Sequence, residues 1–182
     1  MNKVFIIALP EETDFKSNIN GIDILYSEPG KINATMVASY AYKLGYTEII
    51  NIGSCGSLKH NPGTIINVGY VYEDIDIRPL YEYGYNSQNG VNNYKISDTK
   101  YTCFTTDYFV DLNQKNKYSE EYLKMINSCD IFDMECFALA KVCNMYNIKF
   151  SSYKWVSDNG DGGDWKENCK IGFNNVINSL NV

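Results

Sequence analysis

The run Lys3-Val4-Phe5-Ile6-Ile7-Ala8-Leu9 constrains this chain more than any other stretch. Side chains along a strand point alternately to opposite faces, so a strand with apolar residues at every position must be covered on both sides. Such a strand belongs inside a sheet sandwiched between helices. A short signal peptide is the competing reading of the same residues. The run is too brief for the apolar segment of one, and Pro10-Glu11-Glu12 follows instead of a small-residue cleavage site.

The rest of the chain supplies such a sheet and its cover. Strands are expected at Ile22 to Ser27, Glu48 to Ile52, Thr64 to Tyr72, Tyr101 to Thr105 and Lys149 to Val156. A helix is expected from Ile32 to Leu44, with Ile32, Met36, Tyr40 and Leu44 on its buried face and Gly45 as its stop. Ser119 to Ile126 reads as a short helix capped by Ser119. Met134 to Tyr146 is a further helix, its buried stripe Met134, Ala138, Val142 and Met145. The last runs from about Trp165 to Leu180, with Trp165, Cys169, Phe173, Val176, Ile177 and Leu180 on its apolar side. Alternating strands and helices imply a single α/β domain over residues 1–182, three layers α/β/α around a mixed, largely parallel central sheet. Residues 73–100 show no period and read as one long functional or interface loop.

Composition excludes several classes of protein. A net charge of −6 and a single arginine, Arg78, argue against nucleic acid as partner. No apolar run reaches the roughly 18–20 residues of a membrane span. The six cysteines are dispersed and contain no Cys-x-x-Cys, which suits reduced thiols in the cytoplasm better than disulfides or zinc. The acidic run Asp158 to Asp164 lacks the alternate spacing and closing Glu of a calcium loop. No metal and no cofactor is expected.

Chemistry is expected where strands end. Asn51-Ile52-Gly53-Ser54-Cys55-Gly56 reads as a small-residue turn after a strand, able to hold a phosphate, a water or a ribose oxygen, and equally readable as an ordinary turn. Glu135 stands at the start of a helix, where the dipole alone accounts for a carboxylate, and where its two oxygens also suit a sugar diol. Asp158 closes an apolar strand, and a desolvated carboxyl there suits a general acid; a turn-forming Asp before Asn159-Gly160 is the alternative. Glu12 follows the first strand, as a surface residue or as a third acid. Glu12, Glu135 and Asp158 at corresponding strand ends converge on one crevice if the strands are parallel. Two acids flanking a sugar are what glycosidic cleavage uses.

These patches, in this order, resemble the purine nucleoside phosphorylase and nucleosidase superfamily, and within it the 5′-methylthioadenosine/S-adenosylhomocysteine nucleosidases. The resemblance rests on Ala8 to Glu12, Pro29-Gly30-Lys31, Ile50 to Leu58, Gly63 to Ile66, Thr105 to Val110, Phe132 to Cys143 and Val156 to Asp158. It implies hydrolysis of an adenine-type nucleoside with release of the free base, and a homodimer. Asp158 matches the acid that protonates purine N7, and Glu12 the acid that activates water. Glu135 matches the carboxylate on the ribose hydroxyls, with Met134 beneath the sugar. Phe109 matches the aromatic stacked on the base, and Val110 the position whose backbone reads the adenine edge. Ser54 and Gly56 match the turn around that water or the phosphate, and Ser157 the residue that helps place the acid. Lys154 stands where the family carries Arg.

The chain departs from the family in length, with a short interval between Glu12 and Gly30 and a trimmed segment after Asp158. Trp165 reads as a core residue or as a wall for the sugar 5′ side, and His60 as a solvated loop residue. The Tyr81-Glu82-Tyr83-Gly84-Tyr85 cluster reads as a subunit contact or a polar loop. Two alternatives stand beside the nucleosidase: a phosphate-dependent phosphorylase, disfavoured by the scarcity of arginine, and a nucleoside-binding homologue without turnover.

Overall fold

The strand β1 (Lys3–Ile7) divides its apolar side chains between two helix layers: Val4 and Ile6 face one, Phe5 and Ile7 the other. The computed structural model describes residues 2–84, 93–162 and 165–180. β2 (Asn18–Ile19) and β3 (Ile22–Tyr26) form an antiparallel pair, and β3 runs parallel to β1. On its other edge β1 pairs in parallel with β4 (Glu48–Gly56). Beyond β4 lies β10 (Lys149–Asp158), also parallel, in register from Glu48–Lys149 to Cys55–Val156, with a one-residue shift before the Gly56–Asp158 pair. β5 (Ile65–Asn67) closes that edge in antiparallel fashion.

A second wing of the same sheet joins at the end of β4, where Gly56 pairs with Phe132 of β9 (Ile131–Asp133). From β9 the order continues through β8 (Thr102–Thr105) and β6 (Tyr70–Glu73), parallel to each other, to the antiparallel β7 (Asn93–Lys95). The helices α1 (Lys31–Lys43) and α3 (Cys136–Tyr146) cover Val4, Ile6 and Ile49 on one face. The opposite face carries α4 (Trp165–Leu180) over Phe5, Ile52 and Trp155, and α2 (Glu120–Ser128) over Phe104 and Phe132. This is the expected three-layer α/β/α architecture with a mixed, largely parallel sheet.

Several local expectations are corrected. In α1 the buried face is Ala34, Ala38 and Ala41, whereas Ile32, Met36, Tyr40 and Leu44 are 77, 66, 53 and 47% exposed. Positions two apart are about 200° apart on a helix, so the large apolar stripe lies opposite the alanines. Small residues let α1 pack closely against α3 and the sheet. Met145, assigned to the buried stripe of α3, is 59% exposed. α3 itself begins at Cys136, with Glu135 as its N-cap and Met134 ahead of it.

The supposed turn at Gly53 to Gly56 is strand: β4 continues to Gly56 because β10 pairs with it along its whole length. The single strand expected over Thr64 to Tyr72 is two, β5 bonded to β10 and β6 bonded to β8. The 73–100 segment contains β7, and the short interval before Gly30 holds β2 and β3. Ser119 caps α2 as expected, accepting the Tyr122 N–H at 3.1 Å. Among the described residues, no helix is long and apolar enough to cross a membrane.

Candidate active site

At the carboxyl ends of β1, β4 and β10, beside the end of β9, the chain encloses a cavity of about 120 Å³. Every residue singled out from the sequence for the site lines it: Glu12, Ser54, Gly56, Phe109, Val110, Met134, Glu135, Lys154, Ser157 and Asp158. This is where open α/β sheets leave a crevice.

Glu12 sits in a short 3₁₀ turn, Pro10–Thr13, that folds it back over the end of β1, and it is 2% exposed. Its Oε1 accepts the Ser54 N–H at 3.0 Å and the Ser54 hydroxyl at 2.8 Å, and Oε2 accepts the Leu9 N–H at 3.4 Å. Burial pushes this carboxyl above its ordinary range, and the Ser54 donors and Lys154 partly oppose that.

Glu135 is also buried. Its Oε1 accepts the Gly30 N–H at 3.1 Å, and its Oε2 lies 3.8 Å from Lys154 Nζ. Gly30 holds a φ of 103°, a conformation that glycine alone takes readily, and it turns that N–H toward the carboxylate at the head of α1. Burial pushes Glu135 up to about 7, against the pull of Lys154 and with help from the charge of Asp133.

Lys154 is 1% exposed, with Nζ 2.7 Å from Asp133 Oδ2. Burial opposes its charge, yet Asp133 and Glu135 outweigh burial and hold the ammonium above the ordinary lysine value. Asp133 is the residue that sequence reasoning passed over, although it opens the same Asp-Met-Glu triplet. It accepts from Thr105 Oγ1 at 2.7 Å and from Cys136 N at 3.0 Å, tying β8, β9 and α3 together beneath the cavity.

Asp158 ends β10, 6% exposed. Its Oδ2 lies 2.8 Å from Ser157 Oγ and its Oδ1 accepts the Gly160 N–H at 2.8 Å, so the carboxyl plane is set from both sides. Gly56 has a packing reason to be glycine: a Cβ there would stand 2.0 Å from the Phe132 ring. Phe109 is 55% exposed at the cavity mouth, whereas Val110 is buried.

Trp165 is no core residue. It is half-buried, lines the cavity and donates its indole N–H to Ser54 Oγ at 2.9 Å. The fully buried tryptophan is Trp155. His60 does not line the cavity; it lies 3.5 Å from Asp130 and edge-on to Tyr101. Tyr83 hydrogen-bonds Asp74, while Tyr85 of the same cluster and Asp164 of the acidic run lie outside the described residues.

One trio of metal-type ligands occurs among the described residues: Cys103, Asp133 and Cys136. The Lys154 ammonium already fills the cation position against Asp133, and burial holds the Cys103 thiol well above its ordinary value. The trio is therefore a packing cluster beside an ion pair, with Cys103 held as a neutral thiol.

No protein-family model matches the chain. The fold superposes on the 5′-methylthioadenosine/S-adenosylhomocysteine nucleosidase of S. pneumoniae, solved with a transition-state inhibitor, at a TM-score of 0.82, with 18% identity over 99% of this chain and 96% of that one. It superposes on futalosine hydrolase of Helicobacter pylori strain 26695 at 0.80, with 16% identity over 99% and 97% of the two chains. The fold is therefore the one these two solved structures share. In sequence, the chain is 30% identical over 179 residues to the 5′-methylthioadenosine/S-adenosylhomocysteine nucleosidase of Buchnera aphidicola subsp. Baizongia pistaciae (strain Bp), a match spanning 82% of this chain and 67% of that protein. The chain belongs to the 5′-methylthioadenosine/S-adenosylhomocysteine nucleosidase family.

Proposed function

We propose that this protein hydrolyses the N-glycosidic bond of an adenine-type nucleoside, 5′-methylthioadenosine or S-adenosylhomocysteine among them, and releases the free base. The carrying observation is that Glu12, Glu135 and Asp158, brought from three separate strand ends, face one cavity with a buried ammonium among them. Glu135 accepts the ribose hydroxyls and steadies the positive charge that develops on the sugar. Asp158, oriented by Ser157, gives its proton to purine N7 so that the base leaves neutral. Glu12 takes a proton from the attacking water, Phe109 stacks on the base, Met134 lies beneath the sugar, and the backbone of Val110 reads the adenine edge.

Water is favoured over phosphate by charge. Three buried carboxylates (Glu12, Asp133, Glu135) surround one ammonium, which is already bound to Asp133. Arg78, the sole arginine, pairs with Asp76 and Glu121 and does not line the cavity. A phosphate dianion would meet uncompensated negative charge. The test is incubation with methylthioadenosine, adenosylhomocysteine, adenosine and inosine, with and without phosphate, reading free base. Phosphate-independent adenine release is expected. Strict phosphate dependence identifies a phosphorylase, and binding without base release a non-catalytic homologue.

We also propose that residues 1–182 act as one domain, in the cytoplasm, as a homodimer. Six buried free thiols support a reducing compartment. The exposed stripe Ile32, Met36, Tyr40 and Leu44 on α1 supports an interface with a second copy. Met36→Glu is expected to shift the protein from dimer to monomer in sedimentation; a monomeric wild type would refute the dimer.

A further inference from the structure

Trp165 begins α4, and its indole Nε1 donates to Ser54 Oγ at 2.9 Å. Ser54 Oγ in turn donates to Glu12 Oε1 at 2.8 Å, the oxygen that also receives the Ser54 N–H at 3.0 Å. A hydroxyl has one hydrogen and two lone pairs, and an indole N–H can only donate. With the indole held on one of its lone pairs, Ser54 is fixed in the orientation that sends its hydrogen to Glu12. Oε1 is then satisfied by two donors. Among the described residues, Oε2 receives only the long contact from Leu9 N at 3.4 Å and is the oxygen left for a substrate water.

We infer that Trp165 is a positioning residue that acts through Ser54, locking the serine hydroxyl as a donor to Glu12 Oε1 so that Glu12 Oε2 takes the proton of the attacking water. The inference rests on the proposed hydrolytic role of Glu12. An aromatic wall alone needs no N–H, and a phenyl ring would serve it. The relay also has an electrostatic consequence. Burial pushes Glu12 up, and the Ser54 donors and Lys154 pull it down toward the ionised form a base requires. Donation from the indole polarises the hydroxyl and strengthens that pull. The charged groups near Glu12 among the described residues are Lys154 on β10, Glu135 at the start of α3 and, beyond Lys154, Asp133 on β9.

The two tryptophans are distinguishable, because Trp155 Nε1 is buried with no hydrogen-bond partner among the described residues. In the ¹H–¹⁵N spectrum of the full chain, two indole cross-peaks are expected, and Trp165→Phe assigns one of them. The Trp165 peak should shift as Glu12 titrates, and that shift should vanish in Glu12→Gln and Ser54→Ala while the Trp155 peak stays put. In parallel, Trp165→Phe should move the acid limb of the kcat/KM profile to higher pH by about half a unit, the effect of weakening one charge-assisted bond through its neighbour. A Trp165 that merely packs would raise KM at every pH and leave the limb in place. An indole peak indifferent to Glu12→Gln, or an unmoved acid limb, overturns the inference. A wild type that releases no base refutes the hydrolytic reading and the water's part with it, while the indole titration still decides whether the relay exists.

Discussion

Gly30 N–H and Glu135 Oε1 meet at 3.1 Å although 105 residues separate them in the chain. The contact joins the head of α1 to the head of α3. It supplies one fixed donor to a carboxylate that is otherwise held, among the described residues, only by a 3.8 Å approach to Lys154, which leaves lone pairs of Glu135 open to a ligand. Burial, working against the Gly30 donor and the Lys154 charge, brings this carboxyl to about 7.

Ligand binding should therefore depend on pH through Glu135. Its folded value is about 7, and sugar hydroxyls donate to the ionised form. Affinity for a non-hydrolysable adenine nucleoside analogue is expected to fall roughly tenfold for each unit of pH below about 7, and binding near neutrality should release a proton. Calorimetry in buffers of different ionisation enthalpy checks this. Affinity flat from pH 5 to 8 would remove Glu135 from the diol contact.

Glu135→Gln should separate stability from function. The carboxyl rises from 4.5 to about 7 on folding. The folded state thus binds more protons than the unfolded one, and stability present below pH 4.5 is lost as pH rises through 7. Removing the charge is expected to stabilise the fold by roughly 2–3 kcal/mol at pH 8 and by little at pH 4, while base release collapses. Urea unfolding at the two pH values measures it; equal effects at both would contradict the shift.

Lys154→Met should behave in the opposite sense to a simple core repacking. It strips the ammonium from Asp133 and Glu135 and is expected to destabilise by about 3–5 kcal/mol near neutrality. Acid should partly rescue it, since protonating the carboxyls removes the unpaired charge. Thermal melts at pH 5 and 7.5 that show the larger loss at pH 5 would speak against this account.

Asp158→Asn should lower base release by about 10²–10⁴-fold with the melting transition little changed, because the amide keeps the shape but has no acidic proton to give. Ser157→Ala, which frees one side of the carboxyl, is expected to have a smaller effect. Full activity in Asp158→Asn would take Asp158 out of the reaction.

Gly56→Ala tests the junction of the two sheet wings. The new Cβ would fall 2.0 Å from Phe132, and overpacking of this kind costs about 1–3 kcal/mol or more. Removing the ring, Phe132→Leu, should recover part of the loss in the double variant. Additive effects of the two substitutions would show that the clash is relieved elsewhere.

The two-sided burial of β1 was legible in the sequence because period-2 alternation and an unbroken apolar run are local facts, and so was the strand-helix order that follows from it. The acids Glu12, Glu135 and Asp158 were legible for a related reason: a carboxylate beside an apolar strand end stands out against its neighbours. The orientation of α1 was not. Its large apolar residues and its alanines each form a stripe, and only the closeness of α3 selects the alanines for the core. Nor was the end of β4, since two glycines and a serine read as a turn until β10 supplies hydrogen bonds along the whole edge. The pairings that give the cavity its chemistry, Gly30 with Glu135, Lys154 with Asp133 and Trp165 with Ser54, lie between residues distant in the chain. Sequence alone determined which side chains carry charge and that the first strand must be covered on both faces. Tertiary structure decided which charges share a low-dielectric space, and so which of them titrate, donate or stay locked.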